Sequence, residues 1–362
     1  MHDTQLSFLP FDNVWKMRID HPYSLIVKDG GLAWSCGQCP LDADGAVLFP
    51  HDMVAQAKAV AGFIARYLGD MGCATSSIGR LVAYYVKTAS NDDRRLKDLF
   101  QQAFGQSVQV IPVAVPHFYY EGMLIEVDVF ASDEKGDGNR FVDDESGLVM
   151  DVSDAGPFFW VTVSAPPTAG RDFVPRLQRL LDQASLSPDA LLAEQWFLPV
   201  GCDIGDLALS AGGETIMVSD PYADIGAALI FAKAPVSVGQ PTGATTGASG
   251  LSMSLHRAGG YFNLKALHAS PDLSLVQQTV EIMEAVETVF AETGLSFRDV
   301  RKATTHYVAG NSAEALHDNM SIRNRYYPRP GPASTGLPVE GLIAPGAQIS
   351  ISLFGAVPHH GG

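Results

Sequence analysis

Positive charge is scarce in this sequence. Lysine and arginine number 24 against 40 aspartates and glutamates, a formal net charge of −16 over 362 residues. No Lys/Arg-rich run occurs, and a nucleic-acid backbone or an anionic membrane demands clustered cations, so neither is expected as a partner. Long apolar runs are also missing, and nothing approaches the roughly 20 apolar residues of a membrane-spanning helix. The opening MHDTQLSFLPFDN lacks the basic and apolar regions of a secretory leader. Four cysteines, Cys36, Cys39, Cys73 and Cys202, are too few for a disulfide framework in so long a chain. The expected compartment is the cytoplasm. With 46% hydrophobic and 18% charged residues, the chain reads as a globular protein of two or three domains.

Familiar catalytic signatures are absent as well. There is no G-x-S-x-G elbow, no H-E-x-x-H, no G-x-G-x-x-G and no Walker loop, which leaves chemistry without a cofactor. The stretch AWSCGQCPLD does carry a C-x-x-C. In a regular strand Cys36 and Cys39, three positions apart, point to opposite faces and cannot close a bridge. A zinc site needs two further ligands, and no second Cys/His pair offers them. No metal or redox role is expected.

What the sequence does have is internal repetition. A Gly-punctuated hairpin, LIVKDGGLAWSCGQCPLDADGAVL, precedes a helix in which Met53, Ala57, Val60, Ile64 and Leu68 recur on one face and Gly72 marks the end. Strand RLVAYYVKTA, helix RRLKDLFQQAF, extended VIPVAVPHFYY and strand GMLIEVDVFAS follow. The C-terminal part repeats the order: hairpin SLHRAGGYFNLKALHAS, a helix with Val276, Val280, Met283, Val286 and Phe290, strand RKATTHYVAG, helix AEALHDNMSIRNRYY, extended PASTGLPVEGLI and strand GAQISISLFGAV. Gln56 precedes Gly72 by the same interval that separates Gln278 from Gly294.

The middle is a worn third copy. It has hairpin GLVMDVSDAGPFFWVTVSAPP, helix FVPRLQRLLDQASL and strand EQWFLPVG, then a vestigial helix in DIGDLALSAGG and a last strand in GAALIFAKAPVSV. SDEKGDGNRFVDDES and GQPTGATTGASG read as linkers. The expected domains are 1–135, 145–237 and 248–358. Each is a mixed sheet with two helices on one face, and the apolar opposite faces must be buried against one another.

The first unit resembles the Rid superfamily, the YjgF-type reactive-intermediate deaminases. Cys36-Gly37-Gln38-Cys39-Pro40 stands in place of that family's S-G-Q-x-P, and GMLIEVDVFA in place of its G-x-x-V-E-I-E-A-x-A. The resemblance implies an α+β fold of repeated Rid-like (chorismate-mutase-like) units packed as an intrachain pseudo-trimer, in a monomer or homodimer. It also implies a site at a unit interface where a small enamine or imine is hydrolysed to a carbonyl compound and ammonia, with no cofactor and no metal.

By the same resemblance Glu126 matches the glutamate that holds the attacking water, Tyr23 the pocket tyrosine, and Cys36 the small polar residue. Gly37 contributes backbone groups beside Cys36, and Lys97 falls at an asparagine position. The family's carboxylate-binding arginine is missing after Pro112, where Val113 or Ala114 stands. A guanidinium grips a carboxylate through two parallel hydrogen bonds, so either the substrate is not a simple α-imino acid or a cation comes from elsewhere: His117, Lys97, or Arg323 or Arg325 of the third unit.

The third unit keeps Asn319 at the asparagine position, but Ser350 replaces the glutamate, Ser334 or Thr335 the arginine, and Lys265 the small polar residue. Its nearest acid is Glu340. The middle unit has Ser164 near the hairpin position and no acid in its last strand. At most one competent site of the family type is therefore expected, made by the first unit and whichever unit packs against it. The leading reading is hydrolysis or tautomerisation of a small enamine or imine metabolite. The alternatives are a chorismatase-like or cyclic-amide hydrolase activity on the same scaffold, and a non-catalytic metabolite-binding or assembly protein.

Overall fold

A computed structural model of the chain describes residues 6–11, 14–15, 19–169, 172–202, 209, 214–239, 250–308, 310 and 313–357. The first segment runs β1 (Ser7–Pro10), β2 (Ser24–Asp29), β3 (Leu32–Ser35), α1 (Met53–Asp70), β4 (Ile78–Tyr85), α2 (Asp92–Phe104), β5 (Gln109–Ala114) and β6 (Ile125–Ser132). β7 (Lys135–Asp143) leads into the second: β8 (Leu148–Ala155), β9 (Phe158–Ala165), α3 (Phe173–Gln183), β10 (Leu191–Pro199), β11 (Glu214–Val218) and β12 (Ile225–Ala232). After β13 (Ser237–Gly239) comes the third: β14 (Leu251–Ala258), β15 (Tyr261–Ala269), α4 (Leu275–Thr293), β16 (Val300–Tyr307), α5 (Ala313–Arg323), β17 (Ala333–Pro338), β18 (Gly341–Leu342) and β19 (Ala347–Ala356).

The result is a mixed α+β fold with five α-helices among the described residues and two large sheets. Strand order is β2-β3-β6-β4-β5 in the first segment, β8-β9-β12-β10-β11 in the second and β14-β15-β19-β16-β17 in the third. The three orders are the same. β17 meets β2 at Ala333↔Ser24, joining the third and first segments in one sheet, while β18 extends the second segment's sheet beside β11.

Local chemistry explains the helices. Asp52 accepts a hydrogen bond from Ala55 N and caps α1, and Ser274 with Gln277 forms a capping box on α4. Gly72 and Gly294 close their helices at φ +68° and +69°, a left-handed conformation that a Cβ disfavours. All five apolar positions read along α1 are buried. On α4 the buried face holds Met283, Val286 and Phe290 but turns Val276 and Val280 half outward.

The paired glutamines do identical work. Gln56 donates to Phe49 O and Gly122 O and accepts from Leu124 N; Gln278 donates to Ser270 O, Leu273 O and Gly346 O and accepts from Gln348 N. Each ties its helix to the entry of the segment's last strand. Buried amide side chains that satisfy backbone groups in this way are costly to replace.

One expectation is corrected, and one strand was not foreseen. The acidic stretch read as a linker contains β7, paired antiparallel with β8 along Arg140↔Asp151 and Val142↔Val149. It is a mostly exposed edge strand whose Arg140 pairs with Asp151 through Nε at 2.7 Å and Nη2 at 2.9 Å, so its polar composition belongs to a solvated strand face. β11, unforeseen in the sequence, runs parallel to β10. The vestigial helix expected in DIGDLALSAGG lies almost wholly outside the described residues.

Helices α1 and α2 cover one face of the first segment's sheet in a cluster that includes Val60, Ile64, Leu96 and Phe100. The reverse faces meet in a cluster drawn from all three segments: Val27 and Trp34 from the first, Phe158, Trp160 and Ile230 from the second, Ala333 and Phe354 from the third. Buried cations pin these contacts. Arg80 of β4 donates through Nη2 to Val161 O at 2.8 Å and Leu229 O at 2.7 Å, and Lys265 of β15 reaches Glu194 O at 3.4 Å.

Candidate active site

Tyr23 immediately precedes β2 and is buried, its ring stacked on His21 at 5.8 Å and tilted against Tyr327 at 5.6 Å. Burial raises its hydroxyl pKa, against the pull of Arg323 and Ser334. β3 ends at Ser35, and the chain leaves the ladder before pairing again at Gln38, whose N and O bond Val127 O and N. The irregularity lays Gly37 directly against Glu126. A Cβ on Gly37 would sit 1.7 Å from Glu126 Oε1 and 2.4 Å from Cδ.

The same departure overturns the expectation that Cys36 and Cys39 face apart. Neither is in regular strand; both line one cavity, and both thiols reach the Gly37 carbonyl, at 3.5 and 3.6 Å. Burial pushes both thiols well above their ordinary pKa, which leaves them poor nucleophiles.

Glu126 is the second residue of β6, opposite Tyr84 of β4. Burial, reinforced by the neighbouring Asp128 carboxylate, pushes its carboxyl up to about 8, against the pull of Lys302 and the Cys39 thiol. At neutral pH it is mostly a protonated acid, able to donate.

The cavity it faces, about 110 Å3, lies between the first and third segments. Phe11, Trp15, Phe118, Tyr119 and Met123 line it from the first, and Leu316, Met320, Arg323, Ser334 and Gly336 from the third. Leu316, Met320 and Arg323 recur at i, i+4 and i+7 on α5, so one helical face looks into it. Arg323 is fully buried. Asn319 Oδ1 accepts from its Nε at 3.0 Å and Nη2 at 2.8 Å, and Thr305 Oγ1 from Nη1 at 3.0 Å. Of its five N–H groups, two remain without an acceptor, and no carboxylate pairs with it among the described residues. Gly336 makes room, since a Cβ there would press on Nη2 at 3.4 Å.

Beneath the cavity floor is a buried ion pair. Lys302 Nζ lies 2.9 Å from Asp128 Oδ1, 2.7 Å from Thr335 Oγ1 and 2.8 Å from Ser35 O, and Thr335 Oγ1 donates to Asp128 at 2.5 Å. All three ammonium donors are satisfied, the condition under which a buried pair is tolerated.

The structure thus brings Glu126, Tyr23, Cys36, Gly37 and Arg323 to one cavity, with Asn319 behind the guanidinium. It does not bring Lys97 or His117. Lys97 lines a different cavity, because α2 packs towards the second segment. His117 stands edge-on to Tyr119 at 4.9 Å, outside the lining, and burial lowers its pKa. Arg325 and Glu340 are exposed. Lys265 is buried against the second segment, its pKa lowered by burial to about 7. Sequence reasoning missed Cys39 as a cavity residue and the Asp128–Lys302–Thr335 network. Only the two-residue spacing of Glu126 and Asp128, which puts both on one strand face, hinted at the latter.

Comparison with known families places the first segment. Residues 16–132 match the Endoribonuclease L-PSP model. They form an L-PSP unit of the Rid/YjgF family. Solved structures similar to this L-PSP unit include Yersinia pestis YyfA, described as a protein of unknown function of the conserved Rid family (22% identity, TM-score 0.31), which covers 35% of this chain and 99% of its own. A Mycobacterium tuberculosis member of the YjgF family (21%, TM-score 0.30) covers 35% and 99%, and yeast Mmf1 (14%, TM-score 0.31) covers 36% and 100%. A search of curated proteins finds no significant match.

Proposed function

We propose that the three segments form an intrachain pseudo-trimer and that the Glu126 cavity hydrolyses a small imine or enamine carrying a carboxylate, without a cofactor. One observation carries this reading: a largely protonated glutamic acid and a buried arginine with spare donors, and with no counter-carboxylate among the described residues, share a cavity between two segments. Buried guanidinium without an anion is costly, and a substrate carboxylate supplies the partner through two parallel hydrogen bonds. The activity implied by the Rid/YjgF membership of residues 16–132 agrees with it. The cluster shared by all three segments, and their common strand order, support the pseudo-trimer.

In the proposed cycle Glu126 gives its proton to the imine nitrogen, and the resulting carboxylate takes a proton from water as the oxygen bonds to carbon. The carbinolamine loses its hydroxyl proton while nitrogen is protonated a second time; the C–N bond breaks and ammonia leaves, with the carbonyl compound as the other product. An enamine enters by protonation at carbon from the same acid. Arg323 holds the carboxylate, and the aromatic and aliphatic walls take an apolar side chain. A chorismatase-like reaction is less well served, because Lys265 and Arg325 lie away from the cavity. An RNA substrate suits neither a −16 chain nor a cavity of about 110 Å3.

The test is ammonia release from imino acids generated in the cuvette by an amino-acid oxidase. The wild type accelerates release over the uncatalysed rate, Glu126→Ala abolishes the acceleration, and Arg323→Lys raises KM at least tenfold with less effect on kcat. Unchanged release in Glu126→Ala removes the mechanism.

A further inference from the structure

A second and larger cavity, about 500 Å3, separates the first segment from the second. Its walls are α2 and β5 on one side and β7, β8, β9 and the start of β12 on the other. In layout it repeats the Glu126 cavity, since the second helix of one segment again faces the last strand of the next. Its chemistry differs. The second residue of β12 is Gly226, where β6 has Glu126, so no acid stands at that position.

Three charged side chains line this cavity without an ion-pair partner among the described residues: Lys97 and Asp93 on α2, and Asp224 before β12, whose one hydrogen bond comes from Ser164 Oγ at 3.2 Å. The other charges, Arg140 and Asp151, neutralise each other. Ser153, 1% exposed, also lines the cavity, and its hydroxyl has no partner among the described residues. Tyr85 reports the local field: burial, then Asp93 and three further aspartates, push its hydroxyl above the ordinary value. One cation and two anions are left to be matched.

We propose that this cavity is a binding site for a dibasic amino acid, whose carboxylate pairs with Lys97 and whose two ammonium or guanidinium groups pair with Asp93 and Asp224. A ligand with one negative and two positive groups complements the unpaired set, and an extended lysine-sized chain suits the volume. Ser153 offers its hydroxyl to the ligand's polar end. With no acid at the Gly226 position the site binds without turning its ligand over, and the proposal does not depend on the activity assigned to the Glu126 cavity.

Calorimetric titration of the full chain tests it. The probes are L-lysine, L-ornithine and L-arginine, with three lysine analogues that each lack one charge: cadaverine, 6-aminohexanoate and L-norleucine. At least one dibasic amino acid is expected to bind saturably with one site per chain. Each single-charge deletion should weaken lysine-type binding at least tenfold, and so should Lys97→Met and Asp224→Asn. Both substitutions fall on solvent-accessible side chains, and retained melting curves verify the fold. Glu126→Gln should leave the binding unchanged. Absence of binding by all three dibasic amino acids overturns the proposal. So does equal binding of norleucine, cadaverine or 6-aminohexanoate, or binding that survives Lys97→Met or Asp224→Asn.

Discussion

The sharpest consequence of the geometry concerns the glycine that lies against Glu126. Gly37→Ala adds one methyl group at a point 1.7 Å from Glu126 Oε1, 2.4 Å from Cδ and 2.6 Å from Cγ, where real contacts do not fall below 3.0 Å. Relief requires the carboxyl to retreat by about 1.3 Å, and a misplacement of about 1 Å costs on the order of 100-fold in rate. The predicted result in the ammonia-release assay is a kcat about 100-fold lower, with KM little altered because Arg323 is untouched. Overpacking should also cost about 1–3 kcal/mol of stability. Combining the change with Glu126→Ala removes the atoms in collision. The double variant should therefore be more stable than the two single effects added together, as read by urea denaturation of all four proteins. Wild-type kcat in Gly37→Ala, together with strictly additive stabilities, would refute the stated position of the carboxyl.

Two further predictions follow from the electrostatics. Glu126 titrates near 4.5 when unfolded and near 8 when folded, so the folded state keeps an extra proton between those values and stability falls as pH rises through that window. Every tenfold gain in proton affinity on folding corresponds to about 1.4 kcal/mol, reduced here because the carboxyl borders a cavity open to water; Glu126→Gln should gain stability over the wild type at pH 8.5 and none at pH 4.5. Parallel denaturation curves for the two across that range would contradict it. Lys302→Met should cost about 3–5 kcal/mol by stranding Asp128 in the interior. It should also move the pH at which activity changes upward, because the ammonium that holds the Glu126 pKa down is gone.

Much of the fold was legible in the residues, for identifiable reasons. α1 and β6 announce themselves by period, and the recurrence of Gln56 and Gln278 before their helix-ending glycines reflects one structural task performed twice. β7 was hidden because an edge strand with a wet face has a linker's composition. The Cys36–Cys39 geometry was hidden because the rule applied to it holds only inside a regular ladder, and the ladder stops at Ser35. Within the site, Glu126, Tyr23, Cys36 and Gly37 could be named from one contiguous unit. Arg323 could be nominated but not chosen over Lys97 or His117, since that choice depends on which segment each second helix packs against. Such a contact leaves no local pattern.

The buried bond between Thr335 and Asp128 joins residues 207 positions apart. At roughly 5–20 residues per second of translation, the strand that carries Glu126 waits on the order of tens of seconds before its counterpart leaves the ribosome. Throughout that interval the first segment's walls of the Glu126 cavity, Phe118 and Met123 among them, lack their third-segment partners, and a chain truncated before α5 keeps them so. A ribosome stalled late in the message therefore yields a sticky fragment, and newborn chains have most need of a chaperone in the stretch between β6 and α5.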